Sequence, residues 1–462
     1  MRKSVFFTIL NVVIVFSGCK IFEPEIDTTP PVNMPQKFSI DARTSDTINS
    51  LRFFQEYEEL KYLIENAVAN NFDLKVLKSR IDQAKAVVAK EEASFFPDLG
   101  FSFGGEKSGT QTKESDGQSS EYSGSHSWDG SLTSSYTADV WGEAEAQKKI
   151  QEFNLKAAVW DLETSKLELA VTIGQIWIDM IAVKRMKQVL NGQIKNSETL
   201  LALLKFRFLN GKANALDISQ QHEVLAQANS QIPLLEKQER LLLNTLHFLS
   251  GSTLHESLQI NQKNFPEIIP LPSVGIPMNL LDHRPDIQAA RLRLFSSRWR
   301  ISAAKADLLP SFSVTASALF SSGRLDLLFQ NWMATLAGSI AGPIFDGGYR
   351  KAEIERVTAV ANEQLNIYAV IVAGAIRDVE DVLIKIQKQD AYIALLKQEL
   401  EAARLTLKDA RIQYQNGQSS YLNYLVALTG IQRLERQLIS ERAIYLKDRI
   451  DIYRVLGIGF VP

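Results

Sequence analysis

The only cysteine of the chain, Cys19, stands near the start, where a thiol can become the attachment point for fatty acyl chains. It follows a basic pair, Arg2 and Lys3, and an apolar stretch over residues 5–16. Such a stretch is too short for a membrane-spanning helix, which needs ~20 residues, but it fits the core of a secretory signal. The pattern predicts a lipoprotein signal peptide over residues 1–18, cleaved before the cysteine.

Small residues directly before the cysteine, Ser17 and Gly18, are typical of a bacterial lipobox. In that interpretation the thiol and the new amino group of Cys19 are acylated, and several chains on one residue anchor firmly where one would be marginal. Lys20 at the next position favours the outer membrane as the destination. The alternative is a cleaved signal with an incidental cysteine. Residues 19–55, rich in Pro, Thr, Asp and Ser, are predicted to be an N-terminal tether.

The residue types give little support for a disulfide, a metal site, catalysis or nucleic-acid binding. A single cysteine excludes an internal disulfide and a cysteine metal cluster, and the five histidines are scattered without ligand spacing. No paired acid and base, nucleophile elbow or phosphate loop is visible, so we predict no enzyme, no cofactor and no metal site. The net charge of −2 comes without a clustered basic surface, which argues against nucleic acid as a partner.

The elements that must position any site occur in two copies. Three pairs of motifs recur in the same order, first 213 and later 206 positions apart: Asn71-Phe72-Asp73-Leu74 with Arg284-Pro285-Asp286-Ile287, Pro97 with Pro310, and Asn210-Gly211 with Asn416-Gly417. A shared order over such a length indicates a duplicated structural unit. We predict a first repeat over 56–251, an equatorial linker over 252–281, a second repeat over 282–457 and a tail over 458–462.

Each copy contains a helix far longer than those of compact domains. Proline is absent from Gly142 to Asn210 and from Gly348 to Asn416, and apolar residues recur every seven positions in both segments. The clearest series are Leu155, Leu162, Leu169, Ile176, Val183 and Leu190 in the first copy, and Leu365, Val372, Val379, Ile386, Ile393, Leu400 and Leu407 in the second. This spacing predicts coiled-coil helices of ~100 Å at 1.5 Å per residue.

Each long helix stops at an Asn-Gly pair, Asn210-Gly211 or Asn416-Gly417, whose residues tolerate the left-handed conformation that ends a helix. A return helix follows each pair. Each copy is therefore predicted to form an antiparallel hairpin, with its tip near 210–217 in the first copy and near 414–423 in the second.

Five residues are predicted to have structural roles where helices and strands begin. Pro285 suits the first position of a helix, and Asp286 suits its positive end. Arg284 directly precedes them, and we expect this trio to orient a helix rather than to catalyse a reaction. Pro97 and Pro310 each separate a helix from the strand that follows.

Between the helices the hydrophobic period changes to two. Four segments alternate apolar with small polar residues, at about 98–105, 130–141, 311–320 and 332–345. One apolar and one polar face is the pattern of transmembrane barrel strands, and a soluble sheet with one buried face is the alternative. Residues 105–127, rich in Gly and Ser and charged, are predicted to be an external loop.

Four strands cannot close a barrel, for which ~8 is the usual minimum, and open edges cannot face lipid. The chain must therefore oligomerise, and a trimer would supply twelve strands. The predicted fold class is an α+β membrane protein, whose duplicated hairpins and four strands trimerise into a 12-strand β-barrel continuous with an α-helical barrel.

Several motifs together resemble those of the outer-membrane efflux proteins, the TolC-like exit ducts, in their lipoprotein branch. The motifs are His283-Arg284-Pro285-Asp286-Ile287-Gln288-Ala289-Ala290, Pro310-Ser311-Phe312, Pro343-Ile344-Phe345-Asp346-Gly347-Gly348 and Tyr453-Arg454-Val455-Leu456-Gly457. The resemblance implies a homotrimeric, passive conduit in the outer-membrane lipid of a Gram-negative-type bacterium. It also implies two partners that deliver the substrate, a periplasmic adaptor and an inner-membrane transporter.

The resemblance further implies a gate at the periplasmic helix tips. In relatives a carboxylate of the first hairpin bonds a tyrosine of the second, a pair that corresponds to Asp217 and Tyr414. The alternative is that Asp217 caps its own helix and that Tyr414 completes the heptad seam. Asn416, Gly417 and Asn423 complete the tip. Because Asn423 and Val426 stand where some relatives have aspartates, cation block at the tip should be weak or absent.

A second class of function is a periplasmic lipoprotein scaffold or adaptor that is built on the coiled coil and has no pore. Two hairpins together with lipid-type strands disfavour it, because adaptors carry a single hairpin inserted in small β-domains. The substrate stays open, and drug, metal and peptide export fit the sequence equally well.

Overall fold

The structure is a computed structural model that describes residues 22–24, 31–38, 56–113, 120–252, 260–267 and 277–458. Cys19, the signal peptide and most of the predicted tether and linker lie outside these residues. The described residues form two compact units. The first unit lies within residues 1–31, 80–158 and 289–368, and the second within 32–79, 159–288 and 369–462.

Eight helices are formed by the described residues. They are α1 (Glu58–Asn70), α2 (Phe72–Glu92), α3 (Glu143–Leu209), α4 (Ala215–Leu249), α5 (Leu280–His283), α6 (Pro285–Ala306), α7 (Tyr349–Gln415) and α8 (Tyr421–Val455). Short 3₁₀ turns lie at Ala93–Phe95, Pro277–Asn279 and Leu325–Gln330. In this part of the chain, none of the helices has both the length and the apolar character needed to cross a membrane.

The long helices α3 and α7 each contain 67 residues, which makes each about 100 Å long. The seven-residue series predicted from the sequence is confirmed as their buried seam. The buried members are Leu162, Leu169, Ile176, Val183 and Leu190 of α3, and Val372, Val379, Ile386, Ile393 and Leu400 of α7. The seam loosens toward the tip of α3, where Phe208 is 44% exposed.

The base of each hairpin repeats the same contact within the second unit. Asn71, before α2, donates a side-chain hydrogen bond to the carbonyl of Leu249 at 2.9 Å. Arg284, before α6, donates to the carbonyl of Val455 at 3.2 Å. The donors are 213 positions apart and the acceptors 206, the same two offsets that relate the motifs. The duplication therefore extends to individual contacts.

A glycine follows each of these acceptors and lets two backbones approach closely. Gly251 and Gly457 have φ of 61° and 70°. A Cβ at Gly251 would lie 2.4 Å from the Asn70 carbonyl oxygen, and one at Gly457 would lie 2.6 Å from the His283 carbonyl oxygen. Both positions therefore combine a left-handed backbone with a space that only glycine fits.

The four strands lie in the first unit, as one antiparallel sheet in the order β1-β2-β3-β4. They are β1 (Asp98–Lys113), β2 (Ser120–Ala138), β3 (Ser311–Ser322) and β4 (Trp332–Ala341). The register places apolar residues on one face, among them Leu99, Phe101, Phe312, Val314, Leu336 and Ile340. Four of these are more than two thirds exposed: Leu99, Phe101, Leu336 and Ile340.

The opposite face of the sheet is mostly small and polar, and its apolar exceptions, Leu319 and Met333, are cross-strand partners. Ser102 and Ser131 share a hydroxyl hydrogen bond of 2.8 Å, and Ser313 and Ser339 share one of 2.7 Å. Such cross-strand pairs stabilise a largely polar face.

The predicted external loop over 105–127 is wrong for most of its length. β1 continues to Lys113 and β2 begins at Ser120, so that only residues 114–119 lie between them. The extension pairs small residues, such as Gly109 with Gly124. In this extension, residues 106–113 of β1 pair with residues 120–127 of β2, and small or polar residues predominate on both faces of the sheet. The alternation of apolar and polar residues that predicts a strand is therefore missing there. At the other end, β4 stops at Ala341 rather than near 345.

Candidate functional site at the helix tips

The two tips close with the same turn. At the first, Gly211 has φ of 69° and Lys212 N–H donates to the Arg207 carbonyl at 2.8 Å. At the second, Gly417 has φ of 72° and Gln418 N–H donates to the Gln413 carbonyl at 2.9 Å. These bonds use carbonyls that the helix end leaves unpaired, and glycine supplies the left-handed residue. The helix ends were therefore correctly predicted from the Asn-Gly pairs.

The return helices start differently in the two copies. Asn214 caps α4 and forms a capping box with Asp217, whose Oδ2 accepts the Asn214 N–H at 3.2 Å. The equivalent position in α8 is Asn423, which instead donates to Ser419 Oγ at 2.9 Å. Asp217 thus has a local structural partner, as the capping alternative predicted, and the second tip carries no carboxylate at this position.

A buried hydrogen bond joins the two hairpins just behind the tips. The hydroxyl of Tyr421 donates to Gln221 Oε1 at 2.5 Å, and Gln221 Nε2 donates to the Ser197 carbonyl at 3.1 Å. Gln221 is fully buried and Tyr421 is 2% exposed. The pair packs in an apolar cluster with Leu204 and Leu425. A buried polar pair of this kind is costly to break, because either partner alone would be left unsatisfied.

Tyr414 and Tyr424 surround this bond with aromatic rings. The Tyr414 centroid lies 5.5 Å from Tyr421 and 6.0 Å from Tyr424, and the Arg207 guanidinium lies 4.8 Å over the Tyr414 ring. Burial raises the pKa of Tyr414, with Arg207 lowering it and Asp217 raising it. Burial also raises the pKa of Tyr421, well above its ordinary value, and that of Tyr424. All three phenols are therefore neutral at physiological pH.

The structure brings Asp217 close enough to influence Tyr414, but no hydrogen bond joins them. Among the described residues, the Tyr414 hydroxyl has no hydrogen-bond partner although it is buried. The Asp217–Tyr414 latch therefore stays a prediction. Sequence reasoning missed Tyr421 and Gln221, although Tyr421 lies three residues before Tyr424 and so on the apolar seam of the return helix, where a buried hydroxyl needs a partner.

Arg284 and Asp286 form the polar base of the second hairpin. The Arg284 guanidinium donates to both Asp286 oxygens, at 3.0 and 2.6 Å, and lies 3.9 Å from Asp378. Asp286 also accepts the Ile287 N–H at 2.9 Å, at the start of α6, which begins at Pro285. Arg284 is 7% exposed, so its charge is held by these partners. This geometry fits the predicted structural role.

Pro310 lies directly before β3, and its carbonyl accepts the Trp141 indole N–H at 2.7 Å. Pro97 has the same place before β1. Within the described ranges, His, Asp and Glu side chains form no group of three that could hold a metal ion.

Residues 63–252 and 276–458 match the family model of the outer membrane efflux proteins. The chain belongs to this family. The two matched segments correspond to the two repeats, and the gap between them falls on the predicted linker. The protein is accordingly an outer membrane efflux protein.

Similar proteins include the pyoverdine export outer membrane protein OpmQ of Pseudomonas aeruginosa, 28% identical over 87% of this chain and 85% of OpmQ. The cation efflux system protein CusC of Escherichia coli K12 is 24% identical over 97% of this chain and 98% of its own. Among solved structures, CusC superposes with a TM-score of 0.84 at 24% identity, covering 96% of this chain and all of that chain. The outer-membrane channel OprN gives 0.84 at 23% identity, with 94% and 100% covered. The fold is therefore that of these channels.

Proposed function

We propose that this chain is the passive exit duct of a tripartite efflux pump. Three copies form a 12-strand barrel in the outer membrane, continuous with an α-helical barrel that crosses the periplasm. A periplasmic adaptor and an inner-membrane transporter deliver the substrate and supply the energy. The observation that carries this proposal is a four-stranded sheet with one exposed apolar face and one hydrogen-bonded polar face.

The apolar face has a height comparable to the apolar band of a barrel. On β3 it runs from Phe312 to Phe320, which at ~3.3 Å per residue is about 26 Å along the strand. With the ~40° tilt of barrel strands this is about 20 Å along the membrane normal, beside the ~25 Å apolar band of outer-membrane barrels. Phe103, Trp128 and Trp332 lie in the rows at the Phe320 end of this face. Aromatic rings at that height match the girdle that borders the apolar band.

The sheet edges argue for assembly. In the described sheet, β1 and β4 each pair with one neighbour only, so that each presents a row of unpaired backbone groups. Such edges are not tolerated in lipid because no water satisfies them. Pairing β1 of one copy with β4 of the next removes every edge once the ring closes, and leaves the polar faces around a lumen. A scaffold without a pore would leave the exposed apolar face without an explanation.

The gate of this duct lies at the helix tips. The predicted gate residues are Asp217, Tyr414, Asn416, Gly417 and Asn423, and the buried Tyr421–Gln221 bond adds a tie between the hairpins. Helix tips can move as levers because they lie at the far end of long elements. We propose that this tie and the Asp217–Tyr414 latch hold the closed state.

Anchoring and substrate choice complete the proposal. Cys19 is acylated and the tether joins it to the folded body. OpmQ is named for pyoverdine and CusC for cations, so the shared fold serves unlike substrates. We propose that the small polar lumen is permissive and that the partner transporter selects the substrate.

Disulfide trapping tests the assembly. Ser102→Cys on β1 is combined with Thr335→Cys or Ser339→Cys on β4, because all three residues lie on the polar face. Acylated Cys19 has no free thiol, so cross-links must arise at the new sites. We expect covalent dimers and trimers on a denaturing gel, with nothing larger. Ser131→Cys in place of Ser102→Cys is the control, since β2 lies inside the sheet. Monomers alone in every β1–β4 pair would contradict the shared barrel.

A further inference from the structure

A cavity of about 1040 Å³ lies within the first unit, at the end of the sheet from which the helices start. One wall is the apolar face of the strands, with Tyr136, Phe312, Val314 and Ile340. Trp299 of α6 forms part of the opposite wall. The volume is at the upper end of the ~300–1,000 Å³ usual for ligand pockets, and the lining is predominantly apolar and aromatic.

Trp299 closes part of this cavity from the helix side. The side chain is 8% exposed and packs against Ala146, Ile150 and Ala303. The lining is mainly apolar and aromatic. The occupant of the cavity should therefore be a long apolar chain, because such a chain is removed from water there without leaving polar groups unpaired.

The start of the mature chain reaches the same cavity. Phe22 and Glu23 are among its lining residues. Cys19 lies three positions before Phe22, and three extended residues span at most ~10 Å. A fatty acyl chain on Cys19 is thus attached within reach of the cavity, and the apolar wall continues into the sheet face that we assign to the membrane.

We propose that this cavity holds one of the fatty acyl chains attached to Cys19. This inference rests on the proposed acylation of Cys19. This acyl chain then does more than anchor the protein in the membrane. It fixes the N-terminal segment against the junction between the sheet and the helices that lead away from it.

Photo-cross-linking tests the occupant. Cells that express the full-length protein are grown with a diazirine fatty acid, and the protein is purified from the outer membrane, irradiated, digested and analysed by mass spectrometry. We expect the acylated Cys19 peptide to be joined through its acyl chain to peptides that contain Trp299 or the Phe312–Val314 segment. The intact mass of the same sample shows independently whether Cys19 is acylated.

Two matched variants sharpen the test. Gly338 lines the cavity, and the space beside its Cα is open. Gly338→Phe should place a ring in the part of the cavity beside β4 and lower the cross-link yield to peptides that contain the Phe312–Val314 segment. Ala334→Phe, on the same face of β4 but outside the cavity lining, should leave the yield unchanged.

The outcomes separate this inference from the proposed function. Acylated Cys19 without cross-links to the cavity peptides would overturn the inference and leave the duct intact. Cavity peptides that carry a phospholipid mass alone would assign the site to membrane lipid and overturn the Cys19 chain as its occupant. Acyl bridges from Cys19 of one copy to the cavity peptides of another, seen as covalent dimers, would overturn the assignment of the cavity to the acyl chain of its own copy. An unacylated Cys19 would remove both the proposed lipidation and the inference.

Discussion

The two copies agree at the base of their hairpins and differ at their tips. At the base, Asn71 and Arg284 each bond the carbonyl at the end of the returning helix, and a left-handed glycine follows each carbonyl. At the tips, one copy starts its return helix with a carboxylate capping box, whereas the other presents Asn423 and three tyrosines. Duplication therefore preserved the scaffold contacts and left the tips free to specialise, as a gate would require.

The largest expected effect comes from the glycines. Gly251→Ala and Gly457→Ala should each destabilise the protein by at least ~3 kcal/mol, because left-handed strain of ~1–2 kcal/mol adds to a backbone clash. Gly211→Ala and Gly417→Ala, with open space at their tips, should cost only ~1–2 kcal/mol. Denaturant unfolding of the detergent-solubilised protein measures both pairs. Equal losses at base and tip would show that close backbone approach does not distinguish them.

The next largest loss of stability should come from removing the side chains that donate hydrogen bonds at the base of each hairpin. Arg284→Ala removes the guanidinium that binds both Asp286 oxygens, whereas Asp378 keeps its 2.7 Å ion pair with Arg377. It should cost ~2–3 kcal/mol, in the range of hydrogen bonds to charged groups. Asn71→Ala removes a neutral cap and one neutral bond, and should cost ~1–2 kcal/mol. The same unfolding assay ranks the two. A larger loss for Asn71→Ala would show that the charged contacts of Arg284 do not make the second base the more stable one.

The fold was predictable from sequence wherever one signal dominates. A seven-residue apolar period without proline indicated the long helices, and the Asn-Gly pairs indicated their ends. The parts of β1 and β2 that lie within residues 105–127 were missed because Gly and Ser occupy both faces of the sheet there. The alternation of apolar and polar residues that predicts a strand is therefore absent. The Tyr421–Gln221 bond was missed because the partners are 200 positions apart. The cavity at Trp299 is lined by six separate segments, and no local pattern encodes it.

The buried tie at the tips should respond next. Tyr421→Phe leaves Gln221 Oε1 buried without its donor and should cost ~1–3 kcal/mol, whereas Tyr421→Phe with Gln221→Leu should cost less than the sum of the single variants. Limited proteolysis at the tips reports the loosening, with Tyr424→Phe as the control within the same cluster. Additive effects in this double-mutant cycle would show that Tyr421 and Gln221 are not coupled, and their hydrogen bond would then not be part of the gate.

The tip tyrosines should also make the packing between the two hairpin tips sensitive to alkaline pH. Their folded-state pKa values are raised, so their contribution to stability is complete below the unfolded pKa of ~10 and is lost as pH rises through the folded values. Ultraviolet tyrosinate absorbance should show delayed ionisation, with tip cleavage beginning above pH ~10. Phenylalanine at positions 414, 421 and 424 should abolish that pH dependence. A tip that loosens near neutral pH would contradict burial of these phenols.

The smallest effect should come from making the tips alike. Asn423→Asp places a carboxylate in the first turn of α8, after the N-cap Ser420, and should stabilise the helix by ~0.3–1 kcal/mol. In a trimer it would also create three carboxylates at one level, so that block by multivalent cations should appear. Asp217→Asn is the reciprocal change, and should cost less than ~1 kcal/mol since asparagine can accept the same bond. Cation block in the wild-type protein would contradict the assigned difference between the tips.

Single-channel recording tests the central claim most directly. The acylated protein, verified as a trimer, is reconstituted in planar bilayers beside Tyr421→Phe, Asp217→Ala and the control Tyr424→Phe. The account predicts small, mostly closed conductances in the wild type and the control, and larger or longer openings in Tyr421→Phe. An equal increase in Asp217→Ala would support the predicted latch, and its absence would leave the buried tie as the gate. No conductance from a verified trimer in any of the four proteins would contradict the duct.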